Sequence, residues 1–195
     1  VGPTIILTGA PGVGKTSIIS ELTRIAKKEG RTIRVINFGT TMKALLESAE
    51  EMIHRDQIRK ENLNLQRRIQ SEAAREISKT KNEDILIVDT HMFIRTAAGA
   101  FPGLPETVLK ELEPSVLVLV EANPEDIAKR RSGDENRHRD QQTLDDVRFD
   151  LEWSRKTVAA CAVISGAPVS IVRNEEGRQI EAAQRILEIV TEGGF

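Results

Sequence analysis

The stretch Gly9-Ala10-Pro11-Gly12-Val13-Gly14-Lys15-Thr16 constrains this chain more than any other, because it fits G-x-x-x-x-G-K-[ST] at every fixed position. Its flanks agree with it. Thr4-Ile5-Ile6-Leu7-Thr8 is a short apolar run with β-branched residues, as expected of a buried strand. Ile18, Ile19, Leu22, Ile25 and Ala26 then recur at helical spacing, and Gly30 closes the segment where a helix-ending glycine belongs. Strand, glycine-rich loop and helix make a phosphate nest. Gly9, Gly12 and Gly14 lack a β-carbon, so the backbone can turn its N–H groups inward, and the helix N-terminus adds unpaired donors and partial positive charge. Lys15 has the reach for β- and γ-phosphates, and the Thr16 hydroxyl is placed to ligate Mg²⁺. The pattern implies a nucleoside triphosphate site.

Further apolar runs at Thr32–Asn37, Ile85–Val88, Val116–Val120 and Pro168–Arg173 read as strands, with helical spacing between them. Thr40 or Thr41 is the expected cap of a helix carrying Met42, Leu45 and Leu46, and Leu63–Lys79 returns to helical spacing. Gly99–Pro105 reads as a loop, its two prolines opposing regular structure. Pro105 and Pro124 suit helix starts, Thr143 to Asp146 reads as a capping box opening a long helix to about Ile164, and Ile180–Val190 is the last helix. Five strands alternating with helices predict an α/β protein: a P-loop three-layer fold with a five-stranded, mainly parallel sheet flanked by helices. Ligands in such sheets gather at the carboxyl ends of the strands.

Composition narrows the class of partner. A chain of 195 residues suggests one domain, and its net charge of −2 gives no global field for nucleic acid or an anionic membrane. No apolar run approaches the ~20 residues of a membrane span, and Val1–Thr8 leads straight into the first strand without the pattern of a secretory leader. The single cysteine, Cys161, lies in an Ala/Val-rich helical segment and reads as a packed core thiol, so a cytoplasmic setting is expected.

Other residues carry chemistry in pattern. Asp89, ending the third strand, has the position of a Walker B acid that holds Mg²⁺ directly or through water, opposite Thr16. Phosphoryl transfer spreads negative charge that arginines can clamp, and the chain offers two groups of them. Arg95 follows Asp89 in the loop from that strand end; Arg130, Arg131, Arg137 and Arg139 bracket a polar segment after the fourth strand, readable as a closing flap or as a solvated loop.

The P-loop with Ser17 after it, Asn37-Phe38-Gly39-Thr40, Arg55-Asp56-Gln57-Ile58-Arg59-Lys60, Val88-Asp89-Thr90-His91, Pro102-Gly103-Leu104-Pro105 and Arg130-Arg131 with Arg137-His138-Arg139-Asp140 together resemble the archaeal-type adenylate kinases, in order over essentially the whole chain. The resemblance implies transfer of the γ-phosphate of MgATP to AMP, a short lid and a homotrimer, with no membrane or nucleic-acid partner. It implies that Gly9, Ala10, Pro11, Gly12, Val13, Gly14, Lys15, Thr16 and Ser17 hold the ATP phosphates and that Asn174 to Gly177 lies by the adenine. Lys15, Arg95, Arg130, Arg137 and Arg139 become the catalytic cations. Asn37, Phe38, Gly39, Thr40, Arg59 and Arg95 fall on the AMP side, His91 either touching substrate or supporting the loop. One domain over residues 1–195 is implied, with an AMP-binding helical insertion at about 38–80 and a lid at about 131–143.

Two other readings stand beside this one. A kinase acting on UMP, CMP or a small metabolite shares the architecture. A P-loop ATPase serving as an RNA or protein assembly switch would use the basic residues between His54 and Arg68, although that stretch has no interleaved aromatics to stack bases. A GTPase is disfavoured, because no N-K-x-D motif is present.

Overall fold

The computed structural model describes residues 1–50, 62–82, 84–96, 99–132 and 143–194. Five parallel strands form the central sheet: β1 (Thr4–Thr8), β2 (Ile33–Asn37), β3 (Ile85–Asp89), β6 (Val116–Glu121) and β7 (Val169–Arg173), in the order β2-β3-β1-β6-β7. Every residue of β1 and β6 is buried, which explains their uninterrupted apolar runs. β1 pairs with β3 on one side and β6 on the other, Leu7 standing opposite both Asp89 and Val118. The chain therefore reverses direction across the sheet at β1, and a crevice opens beyond its carboxyl end.

Alternation along the strands sends side chains to two cores. Ile5, Leu7, Val116, Val118 and Val120 face α1 (Lys15–Lys28) and the last helix, α7 (Gln179–Glu192), through Ile18, Leu22, Ala183 and Ile186. Ile6, Leu86, Val88, Leu117 and Leu119 face the other layer, where α3 (Asn62–Ser78) supplies Ala73 and Ile77, α4 (Glu106–Leu112) supplies Val108 and Leu109, and α6 (Leu144–Ser165) supplies Val158 and Cys161. Each fully buried Leu or Ile here is worth ~1.5–3 kcal/mol relative to exposure. The remaining helices are α2 (Phe38–Glu50) and α5 (Pro124–Ser132).

Two expectations change at the level of elements. Gly99–Pro102 is a strand, β5, paired antiparallel with β4 (Phe93–Thr96). Pro102 is tolerated because it ends the strand opposite Phe93, where its missing N–H interrupts little of the ladder. Arg95 accordingly sits on β4 and in no loop. The cap of α2 is Asn37 rather than Thr40 or Thr41: Asn37 Oδ1 accepts the Thr40 backbone N–H at 2.9 Å, and the helix starts directly after β2. The Thr143 capping box is present, with Asp146 N–H donating to Thr143 Oγ1 and the Thr143 N–H donating to Asp146 Oδ2.

Candidate active site

The loop from Gly9 to Gly14 is held in its shape by the glycines themselves. Gly12 and Gly14 have φ of 89° and 91°, a left-handed backbone that other L-residues adopt only with strain. A β-carbon on Gly14 would overlap Asn174 Nδ2, which donates a 2.8 Å hydrogen bond to the Val13 carbonyl. Ala10 and Val13 turn their side chains into the core, so what they offer a phosphate is backbone N–H. Lys15 is the first residue of α1 and only 8% exposed along its side chain. Its Nζ donates to the Gly9 carbonyl at 3.2 Å and stands 3.3 Å from His91 Nδ1 and 3.8 Å from Asp89 Oδ1. The ammonium is folded back across the mouth of its own loop, against the acid that ends β3. Thr16 and Ser17 follow it, exposed in the first turn.

Asp89 joins the loop to the other half of the crevice. Its Oδ2 accepts from Asn37 Nδ2 at 2.8 Å, and Asn37 Oδ1 in turn caps α2. Its Oδ1 is buried with no hydrogen-bond partner among the described residues, an orphaned carboxylate oxygen facing the P-loop lysine. Thr16 and this oxygen fit a hard divalent cation that takes most of its ligands from phosphates and water. His91 Nδ1 lies 3.1 Å from the Gly9 carbonyl, so the ring braces the loop. Phe38 is buried in the core beneath the start of α2; its side chain anchors the helix and does not line the crevice. Gly39 and Thr40 lie on the first turn of that helix, on the Asp89 side.

The arginines divide by role. Arg130 reaches back from α5 to the Gly12 carbonyl at 3.4 Å and pairs with Glu176 at 3.1 Å. Arg131, which the resemblance left out of the catalytic cations, is enclosed: its side chain is 5% exposed, its Nε donates to the Pro11 carbonyl at 2.8 Å, and its Nη1 pairs with Asp150 at 3.0 Å. Arg95 is held by Asp150 at 2.9 Å and by Asp146 at 3.0 Å, and its guanidinium lies 4.9 Å from the centroid of Phe149. Burial lowers the Arg95 pKa while its hydrogen bonds to Asp150 and Asp146 raise it, and the net direction is upward. A cavity of about 200 Å³ lies between Gly9, Pro11, His91, Arg95, Asp150 and Ser154. Arg59, Arg137 and Arg139 lie outside the described residues, as does most of the 131–143 segment. Asp150 escaped the sequence reading and Asp146 entered it only as part of a helix cap, although Asp150 had a signal: it lies on the buried stripe of α6 with Val147, Ser154, Val158 and Cys161. A carboxylate there needs a buried partner.

A glycine-rich loop at the switch point, an acid ion-paired with its lysine and arginines on both flanks define a P-loop kinase. A profile of the family described as "AAA domain" matches residues 8–148. The chain is 42% identical over 185 residues to the adenylate kinase of Thermoplasma volcanium (95% of this chain, 98% of that one) and 37% identical over 186 residues to that of Methanocaldococcus jannaschii (95% and 97%). It belongs to the adenylate kinase family. Among solved structures, shikimate kinase from Acinetobacter baumannii is similar in fold, with a TM-score of 0.58 at 17% identity, covering 100% of this chain and 96% of that one. The tunicamycin resistance protein of Deinococcus radiodurans is similar as well, with a TM-score of 0.59 at 17% identity over 98% and 96% of the two chains.

Proposed function

We propose that this chain transfers the γ-phosphate of ATP, held as its Mg²⁺ complex on Gly9 to Ser17, to AMP bound between Asn37–Thr40 and Arg95. The observation that carries this reading is Lys15 Nζ at 3.2 Å from Gly9 O and 3.8 Å from Asp89, a desolvated cation at the junction of the two halves of the crevice. A phosphate monoester is already a competent nucleophile, so the protein has to align two phosphates in line and neutralise the charge that spreads between them. Lys15 and the backbone N–H groups neutralise the donor, Arg130 flanks it above Gly12, and Arg95 meets the acceptor phosphate. Mg²⁺, held by Thr16 and Asp89 directly or through water, would supply Lewis-acid polarisation of the donor phosphate. His91 keeps the Gly9 carbonyl in place and need not act as a base. Asn174 supports the loop from below, and the turn after it borders the adenine.

A homotrimer, on the strength of the family resemblance, and a cytoplasmic setting, on the single packed cysteine, complete the proposal; among the described residues no helix is long and apolar enough to cross a membrane. The test is Lys15→Ala assayed for ADP formation from ATP and AMP. Turnover should fall on the order of 10²- to 10³-fold, the scale of losing one preorganised stabilising group. Near-normal turnover would refute the assignment of Lys15.

A further inference from the structure

Asp150 is the most enclosed carboxylate near the crevice, its side chain 6% exposed, and the reaction above gives it no task. Its two oxygens serve different arginines. Oδ1 accepts from Arg95 Nε at 2.9 Å and lies 2.7 Å from Arg95 Nη2; Oδ2 lies 3.0 Å from Arg131 Nη1. Arg131 in turn donates to the Pro11 carbonyl of the phosphate loop at 2.8 Å, and its side chain packs beneath Gly12, where an added β-carbon would come within 3.2 Å of Arg131 Cγ. One buried carboxylate thus ties the P-loop, the end of α5, α6 and the β4–β5 hairpin into a single chain of charge-assisted contacts.

The partners of Arg95 differ in how firmly they can hold it. All its guanidinium nitrogens already face carboxylate or carbonyl oxygens: Nη1 meets Asp146 Oδ1 at 3.0 Å, and Nη2 meets the Asp146 carbonyl at 3.0 Å besides Asp150. At most four of its five N–H donors are engaged in this way, so a phosphate gripped by two of them has to take the place of one carboxylate. Asp146 is 36% exposed and solvent-screened, so it is the exchangeable partner; Asp150, desolvated, keeps its grip on Nε.

We propose that Asp150 is a positioning residue that orients Arg95 toward the acceptor phosphate and, through Arg131, fixes that orientation relative to the phosphate loop. This rests on the reading of Arg95 as the acceptor-side arginine. Arg131 then influences acceptor handling although it lies against the loop that holds the donor.

The test measures kcat and KM for AMP and for ATP in the wild type, Asp150→Asn, Arg131→Met and the double variant, with Tm recorded for each. In Asp150→Asn, kcat/KM for AMP should fall about tenfold or more, and Asp150→Glu should recover part of it. Arg131→Met should also raise KM for AMP. The double variant should be no worse toward AMP than Asp150→Asn alone, within about twofold, because both act along one path. Wild-type kinetics toward AMP in a folded Asp150→Asn, or single effects that multiply in the double variant, would overturn the proposal. Should Asp150→Asn fail to fold, an unchanged KM for AMP in Arg131→Met overturns it equally. A wild-type chain inert toward AMP would instead overturn the acceptor reading on which it rests.

Discussion

Gly14 and Asn174 compete for one space at the mouth of the phosphate loop, and the glycine has to yield its side chain entirely. Gly14→Ala would force a non-glycine residue to φ near 91° and drive its β-carbon into the amide that braces Val13. A left-handed non-glycine residue costs ~1–2 kcal/mol before the lost brace is counted. The expected outcome is a Tm lowered by several degrees together with weakened MgATP binding, read by calorimetry and by thermal melting with and without nucleotide. Cys161 makes a second prediction. Desolvation raises its pKa to about 11, against an ordinary 9.0. Its contribution to stability is fully present below about pH 9 and is lost as pH rises through about 11, since the unfolded thiol ionises first. A thiol-labelling reagent at pH 8 should therefore react only at the rate of unfolding; rapid native labelling would contradict its burial. At this scale the shape of the Gly9–Gly14 loop was legible in the sequence because its residues are contiguous and its glycines take the left-handed backbone. Asp150 and Arg131 form a pair only after the fold brings them together, so spacing along the chain could not join them.

Elements show where local rules were overridden. The long helix α6 was read correctly at its start because its cap is local: Thr143 and Asp146 exchange side-chain and backbone bonds within one turn. Thr143→Ala should cost ~1 kcal/mol, seen as a modest drop in Tm. Asp146 would keep the backbone N–H of residue 143, the main cause that holds its pKa below the usual carboxylate range, and lose the Thr143 hydroxyl that adds to it alongside Arg95. The β4–β5 hairpin was obscured by its two flanking prolines, yet Pro102 closes a strand and Gly103 permits the following turn. Gly103 donates its N–H to the Met92 carbonyl at 2.9 Å, and a β-carbon there would overlap the His91 backbone carbonyl. Gly103→Ala cannot be relieved by a rotamer change, because the obstacle is backbone. A loss of ~1–3 kcal/mol is expected by chemical denaturation, with displacement of His91 from the Gly9 carbonyl. Asn37 was expected on the AMP side; in the structure it caps α2 and bonds Asp89, which couples helix position to the acid.

For the whole molecule, the order β2-β3-β1-β6-β7 brings the polar residues that end the strands to one crevice. The parallel sheet was legible because strands buried on both faces read as continuous apolar runs, as in Val116–Val120, while their order across the sheet follows from packing between distant segments. On the proposed reading donor and acceptor share this crevice, with Lys15 and Asp89 between them. The measurement that tests this most directly is product analysis with MgATP and a panel of acceptors: AMP, CMP, UMP, GMP and water alone. The expected result is rapid ADP formation with AMP, two ADP for each AMP consumed, and slow turnover with the others. Preference for another monophosphate, or ATP hydrolysis indifferent to the acceptor, would contradict it.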